Sequence, residues 1–124
     1  MVKILVIDDD DLIRTTLRRM LQAAGYAVVE AVDGDDGLRC FENEQPDLVL
    51  ADILMPNKEG IETIRELRRL SQSVAIIAMS GGVGTGDFRF LDFAGRLGAD
   101  QVLRKPFTRL DLLKAIDGCL IRPA

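Results

Sequence analysis

Five short runs of Val, Ile, Leu and Ala, each followed by a longer stretch with apolar residues at helical spacing, divide the chain from end to end. A strand that is apolar at nearly every position needs cover on both faces. Strands alternating with helices supply that cover by forming a parallel sheet flanked by helices on its two sides. The strands are read at residues 3–7, 27–31, 48–51, 74–79 and 101–103, and the helices at 11–24, 35–44, 61–70, 87–97 and 109–120. The expected fold class is α/β, in one domain covering residues 1–124, since a chain of this length with 48% apolar residues can bury a core of its own.

Local signals support individual elements. The first helix is read with Leu12, Ile13, Thr16, Leu17, Met20 and Leu21 on one stripe, and with Gly25 as a stop. The last opens on Thr108 with Asp111 three residues on, a short-chain variant of the capping box, and then shows Leu110, Leu113, Ala115, Ile116 and Leu120. Residues 122–124, Arg-Pro-Ala, read as a frayed tail.

Composition removes whole classes of chemistry. The chain has no histidine, which excludes Ser-His-Asp hydrolysis, Cys-His proteolysis and most zinc sites. A net charge of -4 gives no basic footprint for nucleic acid, so no direct nucleic-acid partner is expected. The apolar run at residues 4–7 is cut off by four aspartates, and no membrane span can be drawn there or elsewhere. Cys40 and Cys119 have no C-x-x-C spacing, so reduced thiols and a cytoplasmic location are expected. Any catalysis runs on carboxylates, hydroxyls, lysine or a hard metal.

In an open parallel sheet, ligands bind at the carboxyl ends of the strands. There the first strand ends in Asp8 and Asp9, the third in Asp52 and the fourth in Ser80, and the fifth runs into Lys105. Clustered carboxylates repel and need a counter-charge, for which a divalent hard cation such as Mg²⁺ is suited. A carboxylate on the central strand can then attack phosphorus to form an acyl phosphate, while lysine and metal hold the phosphoryl oxygens and a serine hydroxyl donates to the product. Each residue alone has a plainer reading: Asp8 and Asp9 as a capped turn, Asp52 as a turn residue before Met55-Pro56, Ser80 as a cap and Lys105 as a surface lysine. Asp10 and Asp11 are read as helix N-terminal residues without a site role. It is the joint occurrence at successive strand ends that points to a site.

Val-Ile-Asp8-Asp9, Leu-Ala-Asp52-Ile-Leu-Met55-Pro56 with Gly60, Ala-Met-Ser80 and Arg-Lys105-Pro106-Phe107 occur in the order found in response-regulator receiver domains, which the chain resembles over essentially its whole length. The resemblance implies a flavodoxin-like (βα)5 sandwich with a five-stranded parallel sheet of order 2-1-3-4-5. It implies Asp52 as phosphoacceptor, Mg²⁺ held by Asp9, Asp52 and the Leu54 carbonyl with Asp8 acting through water, Lys105 on the phosphoryl group, and a cis bond between Lys105 and Pro106. The implied function is that of a two-component phosphorylation switch without an output domain in this chain. Its partners would be a histidine kinase or phosphotransfer protein and a downstream target docked on the face of the fourth helix, fifth strand and fifth helix. It would work as a monomer or a phosphorylation-dependent dimer, and as an enzyme only in catalysing its own phosphorylation and dephosphorylation.

The chain departs from the family at Glu59, where Asp or Asn is usual, and at Val102, where many receivers carry the Tyr or Phe that moves with the Ser or Thr. The segment 81–86, Gly-Gly-Val-Gly-Thr-Gly, is read as a mobile switch that orders when Ser80 moves inward, and Phe88 and Leu91 as an exposed partner patch beside a packed Phe90, Phe93 and Leu97. Two other readings stand beside the switch. One is a phosphatase of the haloacid dehalogenase type with Asp8 as nucleophile, although Leu12 occupies that family's threonine position; the other is a flavin- or nucleotide-binding module.

Overall fold

In the computed structural model, which describes residues 1–53, 59–80 and 98–120, strands β1 (Lys3–Ile7), β2 (Ala27–Ala31), β3 (Leu48–Asp52), β4 (Ala75–Ser80) and β5 (Gln101–Arg104) form one sheet. All neighbours are parallel, in the order β2-β1-β3-β4-β5, as the resemblance implies. The described helices are α1 (Asp11–Ala23), α2 (Gly34–Glu44), α3 (Glu59–Leu70) and the C-terminal α4 (Arg109–Leu120). The readings of Leu54, the glycine-rich segment, the helix at 87–97 with its phenylalanines, and the tail lie outside the described residues.

Alternate strand residues point to opposite faces, and the core divides accordingly. Ile4, Val6, Leu48, Leu50, Ile77 and Met79 meet Leu17 and Leu21 of α1 and Leu112 and Ile116 of α4. Leu5, Ile7, Val49, Ala51 and Ile76 meet Ile64 and Leu67 of α3, with Leu38 and Phe41 of α2 packed alongside. Strands β3 and β4 are wholly buried and β1 is buried except at Lys3, whereas the edge strands β2 and β5 are partly exposed over most of their length.

The helix signals hold with corrections of phase. Asp10 caps α1, accepting the amides of Leu12 at 2.9 Å and Ile13 at 3.1 Å, and Gly25 follows the helix at φ +96°, a conformation that costs glycine least. Leu12 is 75% exposed and Thr16 is exposed, while Arg14 takes the inner position with Leu17 and Leu21. Thr108 and Asp111 cap α4 reciprocally, amide to side chain, at 3.1 and 3.0 Å. The Thr108 amide, together with the Thr108 side chain, holds the Asp111 carboxyl below the usual carboxylate range. The buried stripe of α4 is Leu112, Ala115, Ile116 and Cys119, and Leu110 is 61% exposed.

The first turn of α3 lies directly on the end of β3. A Cβ at Gly60 would stand 2.5 Å from the Asp52 carbonyl oxygen and 2.7 Å from the Ile53 carbonyl carbon, both backbone atoms that cannot step aside. Gly60→Ala is therefore expected to lower stability in urea unfolding by about 3 kcal/mol, the upper range for forcing an extra carbon into a packed interior. An unfolding midpoint equal to the parent's would show that α3 can retreat without cost.

Candidate functional site

β1 lies between β2 and β3, and α1 and α3, which follow β1 and β3, cover opposite faces of the sheet. The chain thus diverges at the carboxyl ends of β1 and β3, leaving the crevice where open α/β sheets bind ligands. Asp8 and Asp9 directly follow β1, and Asp52 is the last residue of β3. Asp8 is fully buried and Asp52 is 6% exposed, whereas Asp9 is open to solvent. Carboxylate oxygens of the three lie within 4.8 Å of one another.

Lys105 follows β5 and brings its ammonium to this cluster, 2.9 Å from Asp8 Oδ2 and 3.4 Å from Asp52 Oδ2. Burial alone would depress its pKa, but hydrogen bonds and charge from Asp8 and Asp52 outweigh it and raise the value above that of an ordinary lysine. The Lys105 amide donates to the Ser80 carbonyl at 2.7 Å, which ties the lysine to the end of β4. The peptide bond between Lys105 and Pro106 is cis. Ser80 itself is buried, one residue beyond Met79, the register partner of Asp52.

The structure thus brings Asp8, Asp9, Asp52 and Lys105 into direct reach and sets Ser80 on the same sheet edge. Oxygen-only donors, two of them shielded from water and three carrying like charge, fit a hard divalent cation rather than a soft metal. Asp8 has one carboxylate oxygen on the Asp10 amide at 2.9 Å and the other on Lys105, an arrangement suited to a fixed ligand and not to an open nucleophile. Val102 packs as an aliphatic side chain against the α2 and α3 side of the core, beside Ala78 of β4.

A groove of about 710 Å³ opens from the acidic rim between α1 and the β5–α4 connection, lined by Leu12, Ile13, Met20, Pro106 and Phe107. The exposed Leu12 forms part of its apolar lip. Sequence reasoning assigned no role to Arg14. The missed signal was spacing: 14, 17 and 21 share one helical face, so a charge at 14 falls in a buried stripe.

The family model for the response regulator receiver domain matches residues 4–117. The chain is 37% identical over 122 residues to response regulator MprA of Mycobacterium sp. (strain KMS), covering 98% of this chain and 51% of that protein. It is 35% identical over 121 residues to the alkaline phosphatase synthesis transcriptional regulatory protein PhoP of Bacillus subtilis (strain 168), covering 97% of this chain and 49% of that one. It therefore spans about half the length of these relatives. A crystal structure of a response regulator receiver domain protein from Clostridium thermocellum superimposes with a TM-score of 0.89 at 34% identity, over 97% of this chain and 94% of that one. With a match of this extent in both sequence and fold, the chain belongs to the response regulator receiver domain family.

Proposed function

We propose that residues 1–124 form a phosphorylation switch of a two-component system, with Asp52 taking a phosphoryl group from the phosphohistidine of a histidine kinase or phosphotransfer protein. The observation that carries this is the placement of Asp52 at the end of the central strand, within 4.8 Å of two further carboxylates and 3.4 Å from the Lys105 ammonium. An Asp52 oxygen attacks phosphorus, the phosphorus–nitrogen bond breaks, and its electron pair stays with the imidazole, which takes up a proton. Mg²⁺ is the cation proposed for Asp8, Asp9, Asp52 and the Leu54 carbonyl, and when bound it offsets the charge of carboxylates and phosphoryl oxygens together. Lys105 holds a phosphoryl oxygen through its ammonium, and Ser80 donates its hydroxyl to the product. The protein is an enzyme only in this self-modifying sense.

The groove beside Asp52 suits a helical, histidine-bearing donor, because Leu12 and Phe107 present apolar surface next to the acceptor. The signal passes to a downstream protein over the face of β5, the helix read at 87–97 and α4, where Leu110 stands exposed, with phosphorylation-dependent dimerisation as an alternative use of that face. Direct binding of nucleic acid is not part of the proposal. None of the helices among the described residues is long and apolar enough to cross a membrane. A cytoplasmic site of action agrees with two cysteines that remain thiols.

The test is incubation with acetyl phosphate and Mg²⁺, followed by reduction of the acyl phosphate and mass mapping. Label on Asp52 alone is expected, and chelation by EDTA should abolish it. Label on Asp8, with turnover of simple phosphomonoesters, would instead support the phosphatase reading.

A further inference from the structure

Among the described residues the buried charged side chains are Asp8, Asp52 and Arg14. The first two belong to the acidic rim; Arg14 comes from α1 and lies beneath it. Its Nη1 donates to the Asp8 carbonyl oxygen at 2.7 Å, and its Nη2 pairs with the Asp11 carboxylate. Its Nε finds no hydrogen-bond acceptor among the described residues and stands 3.5 Å from Glu30 Oε1 on β2. The other oxygen of Glu30 accepts from Arg18 Nη1 at 3.2 Å.

Burying a guanidinium with one N–H unbonded is a poor way to stabilise a fold, and an apolar residue at this helical position would serve the core at least as well. What an apolar residue cannot do is hold the Asp8 carbonyl. That carbonyl belongs to the peptide joining Asp8 to Asp9, so its orientation sets the separation of the two side chains. The Asp8 amide is fixed on the other side by the Ala31 carbonyl at 3.2 Å.

We propose that Arg14 is a positioning residue for the cation site, clamping the Asp8–Asp9 peptide so that both carboxylates face one ion, with Glu30 of β2 holding the guanidinium in place. This rests on the reading that Asp8, Asp9 and Asp52 bind Mg²⁺. Charge and geometry make opposite demands here. A fixed positive charge under the rim repels a cation, so charge alone predicts that removing Arg14 tightens metal binding. Loss of the clamp loosens it.

The experiment is a Mg²⁺ titration of the folded protein, read from the amide chemical shifts of Asp8 to Asp10, with the parent, Arg14→Lys and Arg14→Met. Arg14→Lys keeps the charge but not the forked donor. Its Kd for Mg²⁺ is expected to rise about threefold, and that of Arg14→Met about tenfold, the lower end for residues that orient metal ligands. Unchanged or tighter binding in Arg14→Lys overturns the proposal, and does so even where Arg14→Met does not fold. A lower melting temperature with an unchanged Kd assigns Arg14 to the core and overturns it too. If the parent binds no Mg²⁺ the metal-site reading fails first; if the parent binds and the variants match it, only the clamp fails.

Discussion

Asp52→Asn is expected to abolish phosphoryl uptake from acetyl phosphate or a phosphohistidine donor, while leaving the metal-free fold as stable as the parent or slightly more so. The amide has no anionic oxygen to attack phosphorus, and no neighbour can replace it. Asp8 is fully buried with both carboxylate oxygens engaged, and Asp9 lies on the solvent side of the cluster. Stability moves the other way because the substitution removes repulsion with two carboxylates and attraction to one ammonium. At the effective dielectric of such sites the difference amounts to about 1 kcal/mol in favour of the variant. Radiolabel uptake and a thermal melt in EDTA check both halves. Residual labelling at another residue would mean that the acceptor has been misassigned, and a large drop in melting temperature would mean that Asp52 is chiefly structural.

Lys105→Met should cost both stability and rate, and the two losses separate with pH and metal. Without the ammonium, the buried Asp8 and Asp52 lose their counter-charge, and breaking such a pair from one side costs about 3 kcal/mol. The pKa of Lys105 is raised in the folded protein. Its contribution is therefore complete below the unfolded lysine value of about 10.4 and is lost as pH rises through the folded value. The stability gap between parent and variant should stay constant across neutral pH and close only in strong alkali. A gap that closed near neutrality would contradict the ion pair. Mg²⁺ should narrow the gap at any pH, since a bound divalent cation neutralises the same carboxylates. The phosphorylation rate should nevertheless remain lower by about a hundredfold at saturating Mg²⁺, the scale of losing one preorganised donor to developing charge.

Much of the candidate site was legible because its side chains are tied to strand ends. A parallel strand that is apolar throughout announces itself, and the first polar residues after it must emerge at the sheet's carboxyl edge. Asp8, Asp9, Asp52 and Ser80 follow from that rule, whereas Lys105 stands one residue past Arg104 after a strand that is not apolar throughout; the relative placement of all five follows from the observed strand order. Caps were equally readable, since Asp10, Thr108 and Asp111 bond to amides within three residues of themselves.

The helical faces were less legible. Leu12 and Leu110 have apolar side chains at positions that face outward, and Leu112 and Arg14 take the inner places. Hydrophobicity reports what a side chain prefers, whereas the direction a helix faces is set by how it docks on the sheet. Residues two apart stand about 200° around a helix, so only one member of each such pair can face the sheet.

By itself, then, the sequence determined the alternation of strands and helices, the caps, and the identity of the groups that meet at the rim, because these depend on local periodicity and near neighbours. Only the tertiary structure decided that the second residue of α3, Gly60, has no room for a Cβ against the Asp52 carbonyl, that Lys105 spans Asp8 and Asp52, and that Arg14 reaches the Asp8 carbonyl from below. Those contacts join residues from different elements. Their distances follow from how the helices pack on the sheet, which no short-range pattern encodes.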